Sequence, residues 1–581
     1  MRFLRMLTNS LLAGALGAAF LTIIVLQLNP SIPLMSATTW RLFVALALFY
    51  GVHLAVVFYL LMVGREFIGL YGLSPGWMSV RILAWLTAAL SAGASVLMWL
   101  NVSGFALALG ESAVRRMTAG AAATSGTTIV LLGLAAAHYS FGRRGSRVGA
   151  ALLAIAVFGS LALPVAARGP AVAALPDRPP PGQSPVAVPV SGPRVVMILL
   201  DGASLDHVLP RTAGGRLPNF ARLLTTGASM NLATVRPTGP DPVWAAVATG
   251  MYPAKNGVRS PAEYYARGDT RPFALLPDHC FSHVLVQLGL LRRESNSSAS
   301  LRARPLWSIL AVAGISAGIV RWPLTSPAPP VHGFVLSDRF HQLLGSVLEL
   351  DASAAYPVEV LPVARRAFAD PEDLPHWLPS PVAGDGASSS PERSAGLRDL
   401  FYSRAMRNLR AEWPVQLSAV RYQGLDTVGH YNLRYTEPRD MGEASDDERR
   451  RRLQVIERYY SYIDSEIGEA LAGLLPGDLL LVVSGFGMEA PNAVKRTVAR
   501  VLGDPMSGTH ERAPDGFLLA YGTVVEPGRH PRGAIVDLTP TVLYFLGLPV
   551  GRDMDGYARL DLFKKTFTTG RPIAFVPTHN R

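Results

Sequence analysis

The hydrophobic rhythm of the chain changes once. Up to residue 167 it consists of long apolar runs, 11–28, 42–63, 82–102, 119–138 and 148–167, with few or no charges inside them. Each has roughly the 20 residues that cross a hydrocarbon core as a helix. Beyond residue 193 short apolar runs alternate with helix-like segments instead: "RVVMILLDG", "LPNFARLLTTG", "AGIVRWP", "VQLSAVRYQGLD", "DLLLVVSGFG", "DGFLLAYG" and "DLTPTVLYFLG". Short runs that are apolar at successive positions predict strands buried on both faces, and so a mostly parallel sheet sandwiched by helices. Between the two regimes lies "ARGPAVAALPDRPPPGQSPVAVPVSG", whose prolines preclude a core and predict an extended tether. The pattern predicts a membrane domain of about five transmembrane helices over 1–168, a Pro-rich extracytoplasmic linker over 169–193 and an α/β domain over 194–581.

Charge supplies the orientation. Arg2 and Arg5 precede the first run, Arg65 and Arg81 bracket the loop after the second, and Arg143, Arg144 and Arg147 crowd the loop after the fourth. Arginines mark the cytoplasmic side, so five spans deliver the large domain to the extracytoplasmic face of a cytoplasmic (inner) membrane; Arg115 and Arg116 run against this bias, and a four-span count would reverse it. The first run lacks a cleavage site and four more follow, which argues against a removed signal peptide. The net charge of +12 is explained by arginines at membrane boundaries and scattered over the large domain, with no basic stripe for nucleic acid. The densest charge run, "DDERRRRLQVIERYYSYIDSEIGEAL", reads as the solvated face of an amphipathic helix opened by a capping box of Ser445 and Glu448. Cys280 is the single cysteine, so there is no disulfide framework and no thiolate zinc site. Any metal must be held by His, Asp or Glu.

In a parallel sheet ligands gather beyond the carboxyl ends of the strands, which puts Asp201, Asp426, Gly485 and Phe486 on one rim, each following a strand. Alone, Asp201 reads as a helix cap or turn residue, with Gly202 allowing a sharp turn. Asp426 and His430 in "RYQGLDTVGHYN" read equally as a turn with a surface histidine. Together with His510 in "SGTHERAPDGF", they form a carboxylate and imidazole set that suits a divalent ion, zinc or manganese.

These stretches resemble the alkaline phosphatase superfamily, in its type I phosphodiesterase and nucleotide pyrophosphatase branch. The resemblance runs over about 194–562 through "VVMILLDG", "LPNFARLLTTGA", "RPTGPDPVWAAVATGMYPAKNGV", "IVRWPLTSPAPPVHGFVLSDRF", "YQGLDTVGH", "LLLVVSGFGM", "SGTHERAPDGFLLAYG" and "DLTPTVLYFLGLPVGRDMDG", in the expected order. It implies an alkaline-phosphatase-like fold with two metal ions. One is held by Asp426, His430 and His510. The other is held by Asp201, a Ser or Thr nucleophile and the Asp-His pair of an S-D-H-G motif. Here that motif reads Ser484, Gly485, Phe486, Gly487, so both of its ligands are gone. Pro240 stands where the hydroxyl nucleophile is expected, with Thr238 two residues earlier as the candidate catalytic residue. Asp241, His332, Asp338 and Glu489 are the groups that could compensate.

One complete metal half-site is enough to polarise a phosphoryl oxygen or activate water. The expected function is a membrane-anchored, metal-dependent phosphodiesterase or phosphotransferase, its substrate a lipid-linked or cell-envelope phosphodiester. The alternative is a pseudo-enzyme that binds a phosphorylated glycan, lipid or partner. A sulfatase is disfavoured because Cys280 lacks the required neighbours, and a transporter because His53 is almost alone as an ionisable residue within the spans. Trp244 reads as core, Trp307 and Trp322 as core or substrate cap, and Asp555 as a structural turn.

Overall fold

The structure, a computed structural model, describes residues 2–67, 75–140, 147–177, 192–276, 282–343, 352–368, 390–436, 446–492, 495–497, 506–510 and 512–580. Arg143, Arg144, Cys280 and Ser445 fall outside these residues. The contacts divide the chain into two units: Met1–Leu175 with Ala262–Ser295, and Pro176–Pro261 with Asn296–Arg581.

The first unit is helical. Its N-terminal part supplies α1 (Arg2–Leu28), α2 (Ala37–Leu46), α3 (Val52–Phe67), α4 (Pro75–Phe105), α5 (Glu111–Ser140) and α6 (Arg147–Arg168). Five stretches are long and apolar enough to cross a membrane: Met6–Leu28, Ala37–Gly64, Leu83–Ala108, Glu111–Ala137 and Gly149–Arg168. α2 and α3 form one of them, joined through the π-helical turn Ala47–Gly51. Ser91 meets Thr128 and Ser95 meets Ser125, both at 2.7 Å between α4 and α5, the kind of polar pair that ties helices together in an apolar medium.

The hydropathy pattern does not announce one feature of this unit. Residues 262–295, which lie inside the stretch read as the large domain, pack with the helices as an antiparallel hairpin of Ala262–Ala266 and Leu291–Ser295. Tyr264, Phe273, Leu276 and Leu291 share a core with Val25, Leu26, Leu42 and Leu46. Polar contacts fix the docking. The Asn29 side chain donates to the Leu275 carbonyl at 2.7 Å and accepts from the Leu275 amide at 3.1 Å, and Arg41 pairs with Asp269 at 3.7 Å.

With the hairpin strands counted as β3 and β4, the second unit is built on β1 (Val195–Leu200), β2 (Ala228–Ala233), β5 (Ala317–Val320), β6 (Gly333–Leu336), β7 (Ala355–Tyr356), β8 (Leu417–Tyr422), β9 (Leu479–Phe486), β10 (Asp515–Tyr521), β11 (Gly528–Arg529) and β12 (Gly533–Ala534). Their order is β11-β2-β10-β9-β1-β8-β5-β6-β7, with β12 also on β2. The centre β9-β1-β8-β5-β6 is parallel, while β10 runs antiparallel to both β9 and β2. The result is the expected mostly parallel sheet with helices on both faces. Alternate residues of β1 explain the continuous apolar run: Val195, Met197 and Leu199 face one core with Trp244, Trp307 and Trp322, and Val196, Ile198 and Leu200 face the other with Phe220, Tyr402 and Tyr459. Trp307 and Trp322 are fully buried in a T-shaped cluster with Trp244, which makes them core and not a substrate cap. α7 (Leu205–Ala213), α8 (Pro218–Thr226) and α9 (Pro240–Thr249) follow the first two strands.

Candidate metal centre

Asp426 and His430 sit at the two ends of the short helix Gly424–Asn432, which follows β8 directly. A spacing of four puts them on one helical face. His510 reaches the same point from the segment before β10. The ligand atoms of the three residues lie within 4.8 Å of one another, the one such group of three or more among the described residues. His430 Nε2 is 3.6 Å and His510 Nε2 4.0 Å from Asp426 Oδ1.

The surrounding backbone fixes both imidazoles. His430 Nδ1 donates to the Gly508 carbonyl at 2.8 Å, and His510 Nδ1 donates to the Thr238 carbonyl at 3.1 Å. A ring whose Nδ1 carries the donated proton has its lone pair on Nε2. Both lone pairs therefore converge on a carboxylate, and Asp426 Oδ1 is buried with no hydrogen-bond donor. Three electron-rich atoms facing one another, each oriented from behind, fit a divalent cation. Burial holds the Asp426 carboxyl above its usual range, against the pull of His430 and His510.

Glycine makes this closeness possible. The amides of Ser507 and Gly508 both donate to the His430 carbonyl, at 2.7 and 3.0 Å, and a Cβ on Gly508 would lie 2.5 Å from the Gly429 oxygen. Gly202 turns the chain after β1 at φ +71, and a Cβ there would sit 2.8 Å from the Asp426 Cα.

Asp201 does not join this group. It is fully buried at the end of β1, and its carboxylate is taken. Oδ1 accepts from the Trp244 indole at 2.6 Å, and Oδ2 accepts from Arg421 Nε at 3.0 Å and also from Arg421 Nη2. Burial works against the charge of Arg421, but Asp201, Asp241 and Asp338 together outweigh it and raise the guanidinium pKa. Arg421 is in register with Leu199 on the neighbouring strand, so it projects from the same face as Trp244. Gly485 and Phe486 lie within β9 and not beyond it, which corrects their placement as residues following a strand. A Cβ on Gly485 would meet Val243 at 2.4 Å and the Trp244 ring at 3.5 Å, and Phe486 packs against His510 at 5.1 Å between ring centres.

Thr238 is buried, and its hydroxyl donates to the Val235 carbonyl at 2.9 Å. Its contribution to the centre is the backbone oxygen that orients His510. Pro240 is the first residue of α9. Among the groups that could compensate, Glu489 accepts from the Arg512 amide at 2.9 Å, and His332 is buried with Nε2 unpartnered. Asp241 and Asp338 lie in the field of Arg421, and Asp241 accepts from the Asn296 amide at 3.0 Å. None of the four joins the three-residue group. Sequence reading missed Arg421, although an arginine inside an otherwise apolar strand is a usable sign.

The family model described as "Type I phosphodiesterase / nucleotide pyrophosphatase" matches residues 195–507. No curated protein matches the chain. Among solved structures, human ectonucleotide pyrophosphatase/phosphodiesterase 5 is similar at 13% identity and a TM-score of 0.36, over 64% of this chain and 100% of that one.

Proposed function

Because the chain belongs to the type I phosphodiesterase / nucleotide pyrophosphatase family, we propose that it is a membrane-anchored phosphodiesterase that works with one divalent ion, zinc or manganese, held by Asp426, His430 and His510. The observation that carries this reading is the pair of histidine Nε2 lone pairs turned onto the Asp426 carboxylate by the Gly508 and Thr238 carbonyls. An ion there supplies a Lewis acid for a phosphoryl oxygen and lowers the pKa of a bound water. The protein's own residues hold the three ligands in place, and Phe486 and Met488 keep the back of the centre apolar. With Pro240 in the nucleophile position and the Thr238 hydroxyl bonded to Val235, the reading that fits is direct attack by water, without a phosphorylated hydroxyl intermediate.

The five apolar helices and the arginine distribution support placing the domain on the extracytoplasmic face of a cytoplasmic membrane. A lipid-linked or envelope phosphodiester is then the substrate class we propose. In detergent-solubilised protein, hydrolysis of bis-p-nitrophenyl phosphate should depend on added zinc or manganese and vanish in His430→Ala. A wild type that is inactive with either ion would remove this reading. The packing of Val243 and Trp244 beside Gly485 favours a second reading, a pseudo-enzyme that binds a phosphorylated glycan, lipid or partner without turning it over.

A further inference from the structure

The region of the rim beside the metal group is filled by protein. The resemblance puts a second ion between the first-strand aspartate, the nucleophile and an Asp-His pair, which here means Asp201, Pro240, Gly485 and Phe486. A buried carboxylate needs a cation or several donors. Asp201 has three donors: the Trp244 indole on Oδ1, and Arg421 Nε with Nη2 on Oδ2. Arg421 is itself 5% exposed, so the ion pair is shielded from water. Guanidinium groups are not deprotonated in proteins, and this positive charge is therefore permanent.

We infer that the Arg421 guanidinium stands where relatives hold their second metal ion, so that this chain takes one divalent ion and not two. Three independent features agree. Both oxygens of the carboxylate that would ligate the ion already have donors. The position that would carry the aspartate of the pair has no room for a side chain, since Val243 lies 2.4 Å from where its Cβ would be, with the Trp244 ring in contact behind it. The position that would carry the histidine is a buried phenylalanine packed at a tilt against the His510 ring. The charge logic agrees as well: Asp241 and Asp338 lie near Arg421 and feel its charge, so the cation offsets the acids that remain on that side. The metal group abuts this plug, because the backbone of Gly202 lies against that of Asp426.

This inference rests on the one-ion reading of the Asp426 group, and the test separates the two. Detergent-solubilised full-length protein is saturated with Zn²⁺ or Co²⁺, freed of excess ion, and its metal counted per chain by elemental analysis. We expect one equivalent in wild type, none in His430→Ala, and one in Asp201→Asn/Arg421→Met, which removes both charges together and so leaves neither buried alone. Arg421→Gly opens a hole beside Asp201. Its Tm should rise on adding dilute guanidinium chloride, compared with equal sodium chloride. Two equivalents in wild type, loss of the ion in the double variant, or no guanidinium-specific rise in Tm would each overturn the plug. No ion in wild type would instead overturn the metal reading of Asp426, His430 and His510.

Discussion

The two halves of the rim share one sheet edge and are built on opposite principles. Around Asp426 the protein turns acceptors inward and donors outward: both histidine N–H groups point away to carbonyls, and a buried carboxylate oxygen has no donor. Around Asp201 every acceptor has a donor, three of them for one carboxylate. The first arrangement carries an unmet need for positive charge, and the second has met it with its own side chain. An inherited aspartate is thus no evidence for an inherited ion. What decides is whether a neighbour's cation has reached it first.

The comparison breaks most readily at the open half. Asp426→Asn should cost roughly 1,000-fold in metal affinity, the scale of a lost buried charge partner, as read from zinc retained after dialysis. A variant that keeps a full equivalent would show that the carboxylate does not hold the ion. Gly485→Asp tests the closed half by restoring the missing carboxylate. With Val243 2.4 Å from the new Cβ, overpacking and a buried charge should together cost about 3 kcal/mol or more without adding a second ion. An unchanged Tm with two ions bound would mean that half is open after all. Trp244→Phe keeps an aromatic ring in the core but gives up part of its volume and the indole donor to Asp201. A loss of about 1–3 kcal/mol with no change in metal content is expected, checked by thermal unfolding and elemental analysis.

How much of this could be read in the chain follows the same division. The open half was legible because Asp426 and His430 are four residues apart on one helix, and His510 stands in a recognisable stretch before β10. The closed half was legible only as a loss. Its plug comes from Arg421, 220 residues from Asp201, and strand register, which local sequence does not give, decides that the two meet. The sheet was legible because buried parallel strands are apolar at every position, as β1 is and β9 nearly is. The hairpin of 262–295 was not, because "AEYYA" alternates like any half-buried strand, and its anchor Asn29 lies 246 residues away from Leu275.

Acidity offers a finer probe of the closed half. Burial pushes the Asp241 carboxyl up to about 6; the Asn296 amide opposes this, Asp338 adds to it, and Arg421 and Arg339 oppose it. The folded protein then binds this proton more tightly than the unfolded chain, whose group titrates near 3.8. The sign follows: stability from this group is full below about pH 4 and is lost as pH rises through about 6. Asp241→Asn should remove that loss and leave the variant about 1–3 kcal/mol ahead of wild type at pH 7 relative to pH 4. A Tm difference between the two proteins that stays flat from pH 4 to 7 would contradict the raised pKa.

The smallest effect is expected at Thr238, the hydroxyl two residues before the position where the family pattern puts its nucleophile. A nucleophilic hydroxyl must face the phosphorus and be activated by an ion or a base. The Thr238 hydroxyl is buried and donates to the Val235 carbonyl three residues back, a local turn bond, while its carbonyl orients His510. Thr238→Val keeps that carbonyl and the side-chain shape and removes only the hydroxyl. Losing one such bond costs about 1 kcal/mol of stability, and hydrolysis of bis-p-nitrophenyl phosphate should change by less than about threefold, well short of the loss that removal of a nucleophile brings. If turnover in Thr238→Val instead collapses while its bound metal stays at one equivalent, the hydroxyl must swing out of its turn to attack, and the closed half takes part in the chemistry after all.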